Sequence, residues 1–169
     1  MSKIRNALII IVIIIFFAAI ILAVNFFIKP ANTSIEDKAR HQVVSTISYS
    51  TEKQADSTLW EYYDASGNII GYSYLGEGNG LLGKIEIMLG LDKDMKIVGM
   101  NFLCSDAVLG LSGEKKNALV QQFIGNESLF SINVNIQPAA GEEQIAQTVV
   151  NIVNNAVQNV ASLEGANNE

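Results

Sequence analysis

Gly78, Gly80 and Gly83 spell Gly-x-Gly-x-x-Gly, a spacing that in dinucleotide-binding folds lets a backbone approach a pyrophosphate. That chemistry needs a helix opening at the third glycine, so that free N–H groups meet the anion. The residues after Gly83 alternate instead, with Ile85, Ile87 and Leu89 set against Lys84, Glu86 and Met88. This is strand periodicity. The glycines therefore predict a tight turn between strands, over Glu77–Gly80, where a missing Cβ makes positive φ free of strain. Asp92 and Asp94 resemble the start of a calcium loop but lack its glycine and its distal bidentate Glu, so they predict a hairpin turn over 92–95. Glu142 and Glu143 form a second acid pair, placed where a helix begins and where negative charge suits the macrodipole. Ser105 and Ser112 have no base beside them, and His41, next to Arg40, has no second metal ligand near it in sequence. The single cysteine, Cys104, rules out an internal disulfide and reads as a small buried residue at a strand end. No catalytic triad emerges.

The elements that would carry these residues predict an α+β fold, a twisted and mainly antiparallel sheet with helices packed on it. Ile35, Ala39, Val43 and Ile47 recur at helical spacing, predicting an amphipathic helix over 34–48. Residues 49–58 are polar and read as a loop. Leu59–Tyr63 and Ile69–Leu75, joined by Ala-Ser-Gly-Asn, form a hairpin, and strands at 84–91 and 96–104 extend the meander. A helix comes next over 113–124, ended by Gly125, then a half-buried strand over 130–136. The last helix runs from Gly141 to about Ala161, with Ile145, Val149, Ile152, Val153, Ala156, Val157 and Val160 on one side. Residues 163–169 make a polar, frayed tail.

The first 33 residues differ in character. Residues 7–28 are apolar except for Asn25, long enough to span a bilayer core. Lys3 and Arg5 precede this run, which keeps residues 1–6 cytoplasmic and predicts a single transmembrane helix at 7–28. A cleaved signal peptide is the rival reading, but its apolar region is usually shorter and no A-x-A site lies beyond the run. Residues 29–33 are a linker, and 34–162 form an extracytoplasmic domain, periplasmic or extracellular, at the cell membrane. After Pro30 there are 17 acidic residues and 8 Lys or Arg, a balance of about −9 that argues against nucleic acid as a partner.

Gly78-x-Gly80-x-x-Gly83-x-Ile85-x-x-Met88-x-Gly90-x-Asp92, followed by Lys96-Ile97-Val98-Gly99, resembles the core of the FMN-binding domain family. That family includes the RnfG and NqrC subunits of ion-pumping electron-transport complexes, and the resemblance runs from about Ser34 to Val160. It implies a flavin site built by two loops. In flavin-bearing members a Ser/Thr-Gly-Ala-Thr motif opens the last helix, and its final threonine is esterified to the FMN phosphate. The downstream pattern resembles Val149-Val150-Asn151-Ile152-Val153, and aligned from there the motif falls on Ala140-Gly141-Glu142-Glu143. Gly141 survives, while the acceptor threonine becomes Glu143, which has no hydroxyl to esterify. At about 5 Å and an effective dielectric near 20, each carboxylate would repel a phosphate by roughly 3 kcal/mol. A second loop of the family resembles His-x-Glu-Thr-Pro-Gly-Leu-Gly. Anchored on Gly110 and Leu111, it places Ala107, Val108 and Leu109 where Glu, Thr and Pro would stand.

The resemblance thus implies a vestigial flavin site at Gly110, Leu111, Gly141 and Glu143, with Thr148 as a substitute acceptor one turn into the helix. The expected role is a membrane-anchored accessory subunit of an Rnf-type or related redox-driven ion-translocating complex, without covalent FMN and non-catalytic on its own. Its partners would be polytopic membrane subunits and the lipid bilayer, with Asn25 near the outer end of the span and an apolar ridge from Ala107 to Leu111 closing the former pocket or meeting a partner. The first alternative is an electron-transfer subunit that binds FMN non-covalently or through an atypical linkage. The second is an extracytoplasmic sensor or ligand-binding module.

Overall fold

Alternation along one strand sets the layers. In β4 (Gly83–Asp92), Ile85, Ile87, Leu89 and Leu91 point to one face of the sheet and are fully buried, while Met88 is fully buried on the other. Burying each such side chain contributes about 1.5–3 kcal/mol, so this strand alone commits both faces to being covered. The computed structural model describes residues 34–126, 129–130 and 136–167, with side chains of the last helix described to Leu163. Within them β1 (Thr51–Gln54), β2 (Leu59–Tyr63), β3 (Ile69–Gly80), β4 and β5 (Ile97–Phe102) form a five-stranded sheet in sequence order, every neighbouring pair antiparallel.

One face carries α1 (Ile35–Val43), whose Ala39 and Val43 pack with Val44, Tyr62 and Met88. The helix reaches the sheet where two glycines lie opposite each other, Gly90 on β4 and Gly99 on β5. A Cβ on either would lie 2.3 or 2.2 Å from the Val43 carbonyl oxygen. Arg40 is buried on the same face. Its guanidinium sits 2.8 Å from a Glu52 carboxylate oxygen, 3.0 Å from Asp37, and 5.1 Å from the centre of the Trp60 ring. Burial pulls its pKa down, yet the hydrogen bonds to Glu52 and Asp37 outweigh burial and hold it above the ordinary value. His41 is half-exposed, its Nδ1 2.9 Å from the Tyr49 hydroxyl.

The other face carries α2 (Asp106–Leu109), α3 (Gly113–Gln121) and α4 (Glu143–Asn167). Ala146, Val149, Val150, Ile152, Val153, Ala156, Val157 and Val160 of α4 are buried there with Leu59, Tyr72, Phe123, Phe130 and Ile136. Phe130 is tied to α4 by two bonds to Asn154, its N–H donating at 2.8 Å and its carbonyl accepting at 3.0 Å.

Several expectations need correction. The fold is α+β with an antiparallel sheet, but the transmembrane helix of the expected architecture is overturned for the described residues, where no helix is long and apolar enough to cross a membrane. The long helix α4 is amphipathic, interrupted by Gln144, Gln147, Asn151, Asn154, Asn155, Gln158 and Asn159, and such a face needs water. Residues 7–28 lie outside the described residues. The first helix ends at Val43 rather than 48, and Ile35 is exposed at 74% instead of facing the core. The loop over 49–58 contains β1, whose polar Thr-Glu-Lys-Gln gives no alternation because the strand lies at a sheet edge. The turn expected at Glu77–Gly80 lies three residues on, at Gly80–Gly83. β3 runs through Gly80, which pairs with Gly83 across a two-residue loop of Leu81 and Leu82. The strand over 130–136 falls on residues that are not described apart from its ends, and the helix expected to end near Ala161 continues to Asn167. Asp92 is a turn residue, its Oδ1 accepting from the N–H groups of Asp94 and Lys96 at 2.9 Å each, with Met95 at φ 62°.

Substituting Gly99→Ala should destabilise the chain by about 2–3 kcal/mol in urea unfolding, because the backbone carbonyl it meets cannot swing aside as a side chain can. Tyr63 donates its hydroxyl proton to Glu61, and that bond pushes its pKa up to about 12. The folded pKa lies above the unfolded value near 10, so the stability this bond provides is complete below pH 10 and lost as pH rises through about 12. A near-ultraviolet tyrosine titration of Glu61→Gln should show one phenol moving back toward the ordinary value.

Candidate functional site

A cavity of about 410 Å³ opens where the β3–β4 hairpin tip, the α2 loop and the start of α4 meet. Each wall has a local cause in the sequence. Gly80 and Gly83 close the hairpin around Leu81 and Leu82, which are 74% and 66% exposed. Ser105 caps α2, its Oγ 3.4 Å from the Val108 N–H, and Gly110 ends it at φ 71°, donating its N–H to Asp106 at 2.8 Å. Val108, Leu109 and Leu111 thereby line the cavity, the last two almost fully buried. The third wall is the first turn of α4, entered through Gly141 at φ 83°, with Glu142, Glu143, Gln144, Ile145 and Thr148 along it.

The position of α4 depends on β3. Gly76 and Gly78 lie beneath Ile152, and a Cβ on either would come within 2.6 or 2.9 Å of its side chain. A Cβ on Gly78 would also lie 3.4 Å from the Thr148 methyl group. Two of the glycines of the Gly-x-Gly-x-x-Gly run thus serve the site differently from any phosphate cradle. Gly78 admits the helix, and Gly80 forms part of the cavity wall.

The four positions implied by the family resemblance, Gly110, Leu111, Gly141 and Glu143, line this one cavity together with the substitute acceptor Thr148. Leu81 and Leu82 are its members that sequence reasoning missed. The signal was present, since two adjacent leucines between turn glycines leave apolar surface at a hairpin tip. The ridge from Ala107 to Leu111 is not continuous, because Leu109 and Leu111 turn inward while Ala107 and Gly110 stay exposed.

The chemistry of these walls does not match a covalently held flavin phosphate. Glu143, where the resemblance would place an acceptor hydroxyl, carries a carboxylate. The Thr148 hydroxyl is 3.1 Å from the Gln144 carbonyl oxygen and donates back into its own helix. The lysines of α3 are committed to acids, Lys115 lying 2.6 Å from Glu142 and Lys116 2.5 Å from Asp106. The Glu142 pair also changes the electrostatics expected from sequence. Its carboxylate, only 11% exposed, is offset by Lys115, whereas the exposed Glu143 is screened by water. Repulsion of a phosphate is therefore well below the bare Coulomb figure, and the missing hydroxyl is the stronger departure. Comparison of the chain with protein-family models and with curated proteins found no match.

Lys115→Ala leaves the Glu142 carboxylate nearly buried without its counter-charge. The expected loss is about 1–2 kcal/mol, read as a lowered thermal midpoint, with Glu142→Gln in the same background restoring most of it.

Proposed function

We propose that the chain is an accessory, structural subunit of an Rnf-type or related redox-driven electron-transport complex that translocates ions, a flavin-domain scaffold kept without covalent FMN. The observation that supports this most is the convergence of the four vestigial positions and Thr148 on one cavity that, among the described residues, offers a phosphate neither an uncommitted hydroxyl nor a positive charge. On this reading the helix start and the hairpin tip keep the shape of a ligand site, while the groups that would fix the ligand are replaced. The proposed setting is the extracytoplasmic side of a cell membrane, among polytopic subunits. Its basis is the apolar composition of residues 7–28 and the acidic balance of the rest of the chain.

A second reading, a subunit that holds FMN without a covalent bond, is favoured by the cavity itself. Its volume of about 410 Å³ and its leucine, valine and isoleucine walls suit the apolar body of a small planar ligand. One preparation separates the two readings. The full chain, purified from membranes in mild detergent, is expected to co-migrate with polytopic subunits, to give no fluorescent band for this chain after denaturing electrophoresis, and to be colourless once separated. A chain that migrates freely as a monomer refutes the accessory role. A flavin spectrum that stays with the separated chain and is released by denaturation establishes the second reading.

A further inference from the structure

β3 outruns the strand beside it. β2 pairs as far as Leu59 opposite Tyr74, and the Leu75 N–H then donates to the Thr58 carbonyl at 2.8 Å. From Gly76 to Gly80 the strand pairs only with β4 among the described residues. Backbone groups alternate in direction along an antiparallel strand. Since the Leu75 N–H points away from β4, those of Glu77 and Asn79 do so too. Both residues are exposed, and among the described residues neither backbone has a hydrogen-bond partner on that side.

Exposed edges are usually blunted by proline, by a bulge or by a covering segment. This stretch has no proline, and its register with β4 is unbroken from Gly71 to Gly80. A second opening runs beside the edge. A groove of about 490 Å³ lies there between β3 and α4, lined by Thr58, Tyr74, Gly76, Ile152, Asn155 and Asn159.

We propose that the Gly76–Gly80 edge is a docking site for an extended, basic segment of a partner protein, which joins the sheet as an added strand. The ligand class is dictated by the chemistry of the edge. An edge that presents donor and acceptor at every second residue, about 6.8 Å apart, is matched by another extended polypeptide backbone. Five open residues accommodate roughly 17 Å of added strand. Side chains of that strand on the α4 side enter the groove, where Asn155 is exposed for hydrogen bonding. On the other face it meets Glu77, which shares Lys84 with Glu86, leaving one carboxylate in excess. That excess, on a domain of about −9, selects a basic segment. A second copy of this chain brings the same acids to the seam and is disfavoured. The proposal goes beyond the scaffold reading and does not depend on what the cavity holds.

The test pans a display library of random linear peptides on the full-length protein and titrates the enriched peptides, fluorescently labelled, by anisotropy. The expected winners are β-prone sequences with Lys or Arg, and their Kd should rise at least about tenfold on the Asn79→Pro protein, whose lost N–H lies outside the β3–β4 ladder. Circular dichroism and a melting curve check that variant. Should it unfold, peptides methylated on their own backbone nitrogens give the decision on the wild-type protein, with the same loss expected. Absence of any enriched peptide, or binding indifferent to peptide methylation, overturns the proposal. Concentration-dependent self-association of the wild-type chain that Asn79→Pro abolishes overturns it in favour of a second copy.

Discussion

Two absent side chains on β3 govern where the longest described helix lies. Gly76 and Gly78 let Ile152 settle against the strand backbone, at a separation that any Cβ would violate. With that contact fixed, the first turn of α4 falls beside the β3–β4 hairpin tip and the α2 loop, and the cavity is what remains between them. Gly76 also lines the groove farther along α4, beside Ile152 and Asn155. Packing and cavity thus share one cause, a stretch of strand that contributes backbone and almost no side chain.

Charge has a smaller part than the residue types suggest. Two glutamates at a helix start read as a strong barrier to anions, but Glu142 lies inside an ion pair with Lys115 and Glu143 faces solvent. A paired carboxylate and a screened one repel a phosphate far less than two bare charges. The Thr148 hydroxyl, by contrast, is committed to the Gln144 carbonyl within its own helix, and no screening by water changes that. The other face of the sheet inverts this weighting. There the Arg40 charge is buried, held by Asp37 and Glu52 and stacked over Trp60, so removing one partner would leave an uncompensated charge.

The antiparallel meander is legible in the sequence because its strands alternate. Ile85 to Leu91, Leu59 to Tyr63 and the turn residues between them encode sheet faces at a period of two, and the structure reproduces these elements within a few residues. β1 is not legible, since an edge strand of Thr-Glu-Lys-Gln has no apolar face to announce it. The hairpin turn is displaced for a related reason. Glycine suggests a turn, yet Gly76, Gly78 and Gly80 all lie within the strand, and the turn itself falls on two leucines. Arg40 gives no signal of its own, because a lone arginine on an amphipathic helix looks solvated until its partner on β1 is known.

Local composition by itself determined most of the strands and helices and the acidic balance, because each of these is a property of neighbouring residues. Only the tertiary structure decided that Gly110, Leu111, Gly141, Glu143 and Thr148 share one cavity with Leu81 and Leu82, that Lys115 offsets Glu142, and that β3 outruns β2. These depend on how far one strand extends past another and on how closely a helix approaches a sheet. Such distances are set by contacts between residues remote in the chain, which no local pattern records.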